Sequence, residues 1–80
     1  MNADWRLLIT ADPAVLVGKP TIRGLRISVE QVLRALGSGV PESELLADYP
    51  DLTREDLLAC QAYAADIVAS ERVYPVAVGA

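Results

Sequence analysis

Start and stop signals for successive helices stand close together from residue 28 onward. Ser28 is a favoured N-cap residue, and Gln31 follows three positions later, where a capping box needs it. Apolar residues then recur at helical spacing until Gly37-Ser38-Gly39, which ends the helix. Helices this short are stable mainly when they pack on one another. The pattern therefore constrains the chain to a small helical bundle.

The signals that follow mark two further helices. Pro41 suits the first turn of a short second helix, which Tyr49-Pro50 terminates. Thr53 caps a third helix with Asp56 at the capping-box position, and the apolar face of this helix continues to about residue 70 or 72. This order of helices is typical of a helix-turn-helix module.

Short strands and turns are favoured before the first helix. Arg6 to Ile9 has the composition of a short strand. Thr21-Ile22 and Leu25 to Ile27 predict a hairpin around Arg23-Gly24, because Gly24 tolerates the positive φ of a tight turn. Such a hairpin exposes Arg23 at its tip. We therefore predict an α+β fold, mostly α, in which short N-terminal strands precede a winged-helix-like bundle of three helices.

The length of the chain suits a single domain. It has 80 residues, and we expect one domain over residues 1–72 followed by an apolar tail over residues 73–80. Hydrophobic residues make up 52% of the chain and aromatic residues 5%, so the apolar content is mainly aliphatic. So small a domain buries only about 60% of its unfolded surface. The remaining aliphatic surface predicts a homodimer or another protein partner.

Reactive side chains are scarce. The chain contains no histidine and a single cysteine, Cys60, which has no adjacent basic residue to stabilise a thiolate. The members of a magnesium site would be Asp48, Asp51, Glu55 and Asp56. Each of them stands at a helix end or turn, where capping and the helix dipole explain it better. We therefore expect a protein that acts by binding, with no enzyme activity, cofactor or metal.

Targeting signals are not evident in the sequence. Met1 to Trp5 contains neither a basic segment nor a long apolar run. Nowhere in the sequence do about 18 apolar residues follow one another, as a membrane span requires. The lone thiol suits a reducing compartment. We expect a cytoplasmic protein that does not bind membranes.

The charges are distributed unevenly along the chain. The net charge is −4, from 7 basic and 11 acidic residues, which disfavours a general phosphate binder. The acids concentrate between residues 42 and 56. DNA contacts, if made, would come from the hairpin and from the start of the third helix. One chain supplies few basic residues there, so DNA binding would require a dimer, which has twice as many. The candidate residues are Lys19, Arg23, Arg26 and Arg54. Alternatively, these residues pair with the acids across the fold.

Two apolar segments are candidates for protein contacts. One lies near the N-terminus and would form a dimer seam or cover the helices of its own chain. Its residues are Leu7, Ile9, Val15 and Leu16. The other follows the third helix and would order itself on a partner as an added strand or in a groove. Its residues are Arg72, Val73, Tyr74, Val76 and Val78.

Several short motifs also resemble those of a known family. They are Gly-Lys-Pro at residues 18–20, Ile-Arg-Gly at residues 22–24, Tyr49 to Thr53, and Ala62-Tyr63-Ala64. Over Arg6 to Glu71 the chain resembles domain-of-unknown-function family 433, small bacterial proteins regarded as helix-turn-helix antitoxins of the VapB type.

The resemblance implies a protein that neutralises a partner toxin, typically a PIN-like ribonuclease encoded beside it, and that represses the shared operon by binding operator DNA. The alternative that remains is a stand-alone dimeric helix-turn-helix transcriptional regulator. Residue spacing alone does not separate these two roles.

Overall fold

Two short strands and three helices make up the fold. The structure, a computed structural model, describes residues 4–70. Its elements are β1 (Ile9–Thr10), β2 (Thr21–Ile22), α1 (Val29–Gly37), α2 (Glu42–Asp48) and α3 (Arg54–Ser70). The predicted α+β fold, with N-terminal strands followed by three helices, is confirmed.

The sheet pairs β1 with β2, which differs from the predicted hairpin. The two strands are antiparallel, with Ile9 opposite Ile22 and Thr10 opposite Thr21. Leu25 to Ile27 forms no strand, although the Ile22 amide donates to the Ile27 carbonyl at 3.2 Å. The Val29 amide also donates to the Pro20 carbonyl at 2.9 Å, so the hairpin closes in an isolated antiparallel bridge between Thr21 and Ser28.

The predicted turn at Arg23-Gly24 is present. The Leu25 amide donates to the Ile22 carbonyl at 2.7 Å, and Arg23 and Gly24 have φ values of 46° and 74°. Two successive positive φ values are typical of a type I′ turn. Arg23 is not a glycine, so its left-handed backbone is strained and needs compensation elsewhere.

The N-terminal segment is more helical than predicted. Trp5–Leu7 forms a 3₁₀ turn, and only the last residue of the predicted strand, Ile9, belongs to β1. The carboxylate of Asp4 accepts from the Arg6 amide at 3.0 Å, which caps this turn. A local side-chain cap therefore takes the place of strand pairing here.

The helix boundaries agree with the capping signals. The Ser28 hydroxyl accepts from the Gln31 amide at 3.0 Å. Thr53 and Asp56 form a reciprocal capping box, in which the Thr53 amide donates to Asp56 Oδ2 at 2.9 Å and the Asp56 amide donates to Thr53 Oγ1 at 3.2 Å. Helix α2 begins one residue after Pro41, whereas the sequence predicts Pro41 within its first turn. No side chain caps this end of α2.

The core lies where the three helices and β2 meet. Its buried apolar residues are Ile9, Ile22, Val29, Val32, Leu45, Leu52, Leu57, Ala59 and Cys60. Burial, with a smaller contribution from the charge of Asp56, raises the pKa of the Cys60 thiol to about 12. This cysteine therefore stays protonated at neutral pH and packs as a small apolar side chain.

Helix α3 extends past the elements that cover it. It has 17 residues, whereas α1 has 9, which corresponds to lengths of about 25 Å and about 13 Å. Its buried residues all lie between Asp56 and Cys60, and residues 65 to 70 are all exposed. Within residues 4–70, no helix is long and apolar enough to cross a bilayer.

Candidate functional site

The Arg23 guanidinium lies against Asp56, while the residue remains exposed at the tip of the turn, as predicted, with its side chain 37% exposed. Nε and Nη2 of Arg23 donate to the two carboxylate oxygens of Asp56 at 2.9 and 2.7 Å. Nη2 also donates to the Asp51 carbonyl at 2.7 Å. Asp56 is only 1% exposed. The guanidinium is thus used inside the chain, as in the alternative in which the arginines pair with acids.

Burial and hydrogen bonding have opposite effects on the Asp56 carboxyl. Burial alone would raise its pKa, but the hydrogen bonds from Arg23, the amide of Thr53 and the charge of Arg23 outweigh it and lower the pKa below its usual value. The pKa of Arg23 is raised, chiefly by its hydrogen bonds to Asp56. Both groups are therefore charged at neutral pH, and the pair holds the strained turn against the start of α3.

This pair predicts a loss of stability in acid. A carboxyl whose pKa is lower in the folded protein stabilises it above the unfolded pKa, about 3.9, and loses that contribution as pH falls through the folded pKa. We expect the unfolding free energies of wild type and Asp56→Asn, measured in urea, to differ most at neutral pH and to converge well below pH 4. A difference that stays constant with pH would contradict the assignment.

Two of the other basic candidates also have acidic partners. Lys19 Nζ lies 3.3 Å from Glu30 Oε1, and Arg54 Nε lies 3.1 Å from Glu42 Oε1. Both pairs are exposed, so they are weak. Among residues 4–70, Arg26 has no ion-pair partner. Three of the four candidate DNA contacts are thus paired within the chain.

The surface of α3 does not resemble that of a DNA-reading helix. Asp56, in its first turn, is buried, and Arg54 is paired with Glu42. Between Leu57 and Ala69 the sequence contains one charged residue, Asp66. A helix that enters a DNA groove needs polar and basic side chains facing bases and phosphates. This helix therefore suits a protein partner better than DNA.

Trp5 contacts α3 in a way that the sequence did not predict. Its indole N–H donates to Asp66 Oδ2 at 2.6 Å, and its ring meets Tyr63 edge-on at a centroid distance of 4.9 Å. The Arg6 guanidinium lies over the Trp5 ring, 4.7 Å from its centroid. No local pattern in the sequence indicates this contact, because the two residues are 61 positions apart and Asp66 is exposed.

Helix α3 is apolar on more than one side. Leu58 and Ile67 are each 42% exposed and Val68 is 64% exposed. One stripe, which we call the outer α3 face, recurs at helical spacing and consists of Leu58, Ala62, Ala65 and Ala69. Ile67 lies on the opposite, inner side. Helices that are apolar nearly all round are normally buried on several sides.

A groove separates α1 from α3. Its volume is about 380 Å³, and its lining residues are Pro20, Val29, Glu30, Leu33, Arg34 and Tyr63. The floor is apolar, whereas Glu30 and Arg34 stand on one rim and pair with each other at 2.9 Å. Hydrogen bonds from Arg34 and Lys19 lower the pKa of Glu30. The rim thus presents a negative and a positive group one helical turn apart.

The predicted dimer residues have different environments. Leu7 is exposed, Val15 and Leu16 are half-buried, and Ile9 belongs to the core. Ile9 therefore fits the alternative in which it covers the helices of its own chain. The predicted partner contacts Arg72, Val73, Tyr74, Val76 and Val78 lie outside the described residues.

A protein-family model matches most of the chain. The model of the DUF433 family, described as a protein of unknown function, matches residues 9–64. The chain belongs to the DUF433 family. The matched region runs from β1 to the middle of α3, so the exposed end of α3 lies outside it.

A solved structure agrees with this assignment. The chain is similar to the crystal structure of a DUF433 member protein from Anabaena variabilis, with 39% sequence identity and a TM-score of 0.71. The similarity covers 76% of this chain and 60% of that one, so the chain spans less than two thirds of that relative. A search of curated proteins found no match.

Proposed function

We propose that this DUF433 protein is an antitoxin that binds and neutralises a PIN-like ribonuclease, acting by binding and not by catalysis. The observation that carries the proposal is the second half of α3, which is exposed although it contains a single charged residue, Asp66. Burial of these exposed apolar side chains against a partner stabilises the complex, because it removes them from water. The proposal places the protein in the cytoplasm, where such a ribonuclease acts.

The proposed contact combines the outer α3 face with the tail that follows it. The face would lie in a groove of the toxin, as amphipathic helices do in other complexes. Val73, Tyr74, Val76 and Val78 would continue the contact, and Arg72 would approach the acidic residues that hold the catalytic cation of the toxin. An arginine there would pair with those carboxylates and displace the cation.

Co-expression with the neighbouring gene tests this function. If the neighbour encodes the toxin, we expect the full chain to restore growth and to co-purify with the toxin. A chain truncated after Ser70 should keep its fold and lose most of the inhibition. Unchanged inhibition by the truncated chain would refute the role of the tail. No rescue and no co-purification would refute the antitoxin proposal itself.

The alternative function, a dimeric transcriptional regulator, is favoured by one observation. Arg26 has no acidic partner within residues 4–70, and Lys19 is held only by an exposed pair with Glu30. Both side chains would be available to phosphates. Arg23 is a poor choice for this test, because its removal would destabilise the fold.

The regulator function predicts that Lys19→Ala combined with Arg26→Ala weakens operator binding without changing the melting temperature. Each lost phosphate contact should reduce the slope of log affinity against log salt by about 1. Gel shifts with the upstream promoter at several salt concentrations measure this. Arg6→Ala, which removes an exposed positive charge away from the groove and from the candidate DNA contacts, is the matched control. If wild type does not bind the promoter, the regulator function is excluded.

A further inference from the structure

The groove between α1 and α3 lies beside an exposed apolar side chain of the same molecule. Tyr63 lines the groove, and Ile67 follows it by four residues, so both lie on one face of α3. Side chains on a helix lean towards its N-terminus, which brings Ile67 towards the groove. Ile67 is 42% exposed and is not among the residues that line the groove of its own chain, so its side chain is available to the groove of another copy.

A surface with both of these features is complementary to itself. Around a two-fold axis, each contact between two different residues occurs twice, once in each direction. If two α3 helices cross antiparallel near residues 63 to 67, Ile67 of each copy faces the groove at Tyr63 of the other. Each chain thus supplies both a groove and the Ile67 side chain that enters the groove of the other copy.

The charges on the rim fit the same arrangement. Glu30 and Arg34 lie one turn apart on α1, so two antiparallel α1 helices would bring each glutamate near the arginine of the other copy. Exposed pairs of this kind contribute more to orientation than to affinity. A copy packed in the parallel direction would instead bring like charges together.

We propose that this groove is the dimer interface of the protein, with Ile67 of each copy seated in the groove of the other. The inference deepens the proposed function by assigning its dimer to a surface different from the predicted N-terminal seam. It leaves the outer α3 face, on the opposite side of the helix, available to the toxin. The dimer would thus present two toxin-binding faces.

Sedimentation of the full chain over a wide concentration range tests the interface. We expect wild type to dimerise and Ile67→Glu to weaken the dimer about thirtyfold or more, because a charge would enter an apolar groove. Val17→Glu is the matched control, since Val17 is 93% exposed and lies away from the groove lining. Fluorescence of Trp5, which packs on Tyr63, reports whether each variant keeps its local structure.

A charge exchange on the rim gives a second test. Glu30→Arg alone should weaken the dimer, and Glu30→Arg combined with Arg34→Glu should restore it. The interface is refuted if wild type is monomeric, or if Ile67→Glu dimerises as tightly as Val17→Glu. An Ile67→Glu monomer that still inhibits the toxin supports the interface and leaves the antitoxin proposal intact. A dimeric wild type that binds no toxin would count against the antitoxin proposal alone.

Discussion

Replacing Arg23 with alanine is expected to lower the free energy of unfolding by about 3 to 5 kcal/mol, enough to unfold much of a small domain. The change leaves the Asp56 carboxylate, 1% exposed, without the two hydrogen bonds from the guanidinium. The Thr53 amide still donates to Asp56 Oδ2, but a buried carboxylate that loses its counter-charge costs far more than a missing surface pair. Urea unfolding followed by circular dichroism measures the effect.

The matched control is Arg34→Ala. Arg34 also pairs with an acid, Glu30, but its side chain is 78% exposed, so the loss should stay below about 0.5 kcal/mol. Arg23→Lys is expected to lose less stability than Arg23→Ala, because the ammonium keeps a counter-charge for Asp56 but cannot reproduce the two parallel hydrogen bonds. Equal small losses for Arg23→Ala and Arg34→Ala would contradict the structural role of the pair.

Replacing Ala65 with arginine is expected to weaken binding of the toxin at least about a hundredfold. Ala65 is at the centre of the outer α3 face and is exposed in the single chain. In the proposed complex, arginine at this position would bury an unpaired charge, which costs several kcal/mol. Arginine and alanine both favour helices, so the free chain should keep its stability. Calorimetric titration of the purified toxin measures the affinity.

Ala47→Arg provides the control for that experiment. Ala47 is an exposed alanine of α2, so the substitution adds the same charge to a helix outside the proposed contact. We expect the Ala47→Arg variant to bind and inhibit the toxin as wild type does. If Ala65→Arg inhibits equally well, the toxin does not contact the outer α3 face.

Local interactions explain which features the sequence predicted correctly. The starts of α1 and α3 depend on Ser28 with Gln31 and on Thr53 with Asp56, pairs that lie three residues apart. The end of α1 depends on glycines at its last turn, and Gly39 has a φ of 96°. Capping acts within one turn, so residue types at fixed spacing determine these boundaries. The same holds for the turn at Arg23-Gly24.

The sequence by itself therefore determined the three helices, their order and the tight turn before them. Only the tertiary structure decided which distant groups meet: β1 with β2, Arg23 with Asp56 across 33 residues, and Trp5 with Asp66 across 61 residues. Several acids compete for each arginine in the sequence. The packing of α3 on the turn decides which acid pairs with Arg23. An ion pair depends on the distance between the two groups, their burial and their orientation, and residue spacing specifies none of these.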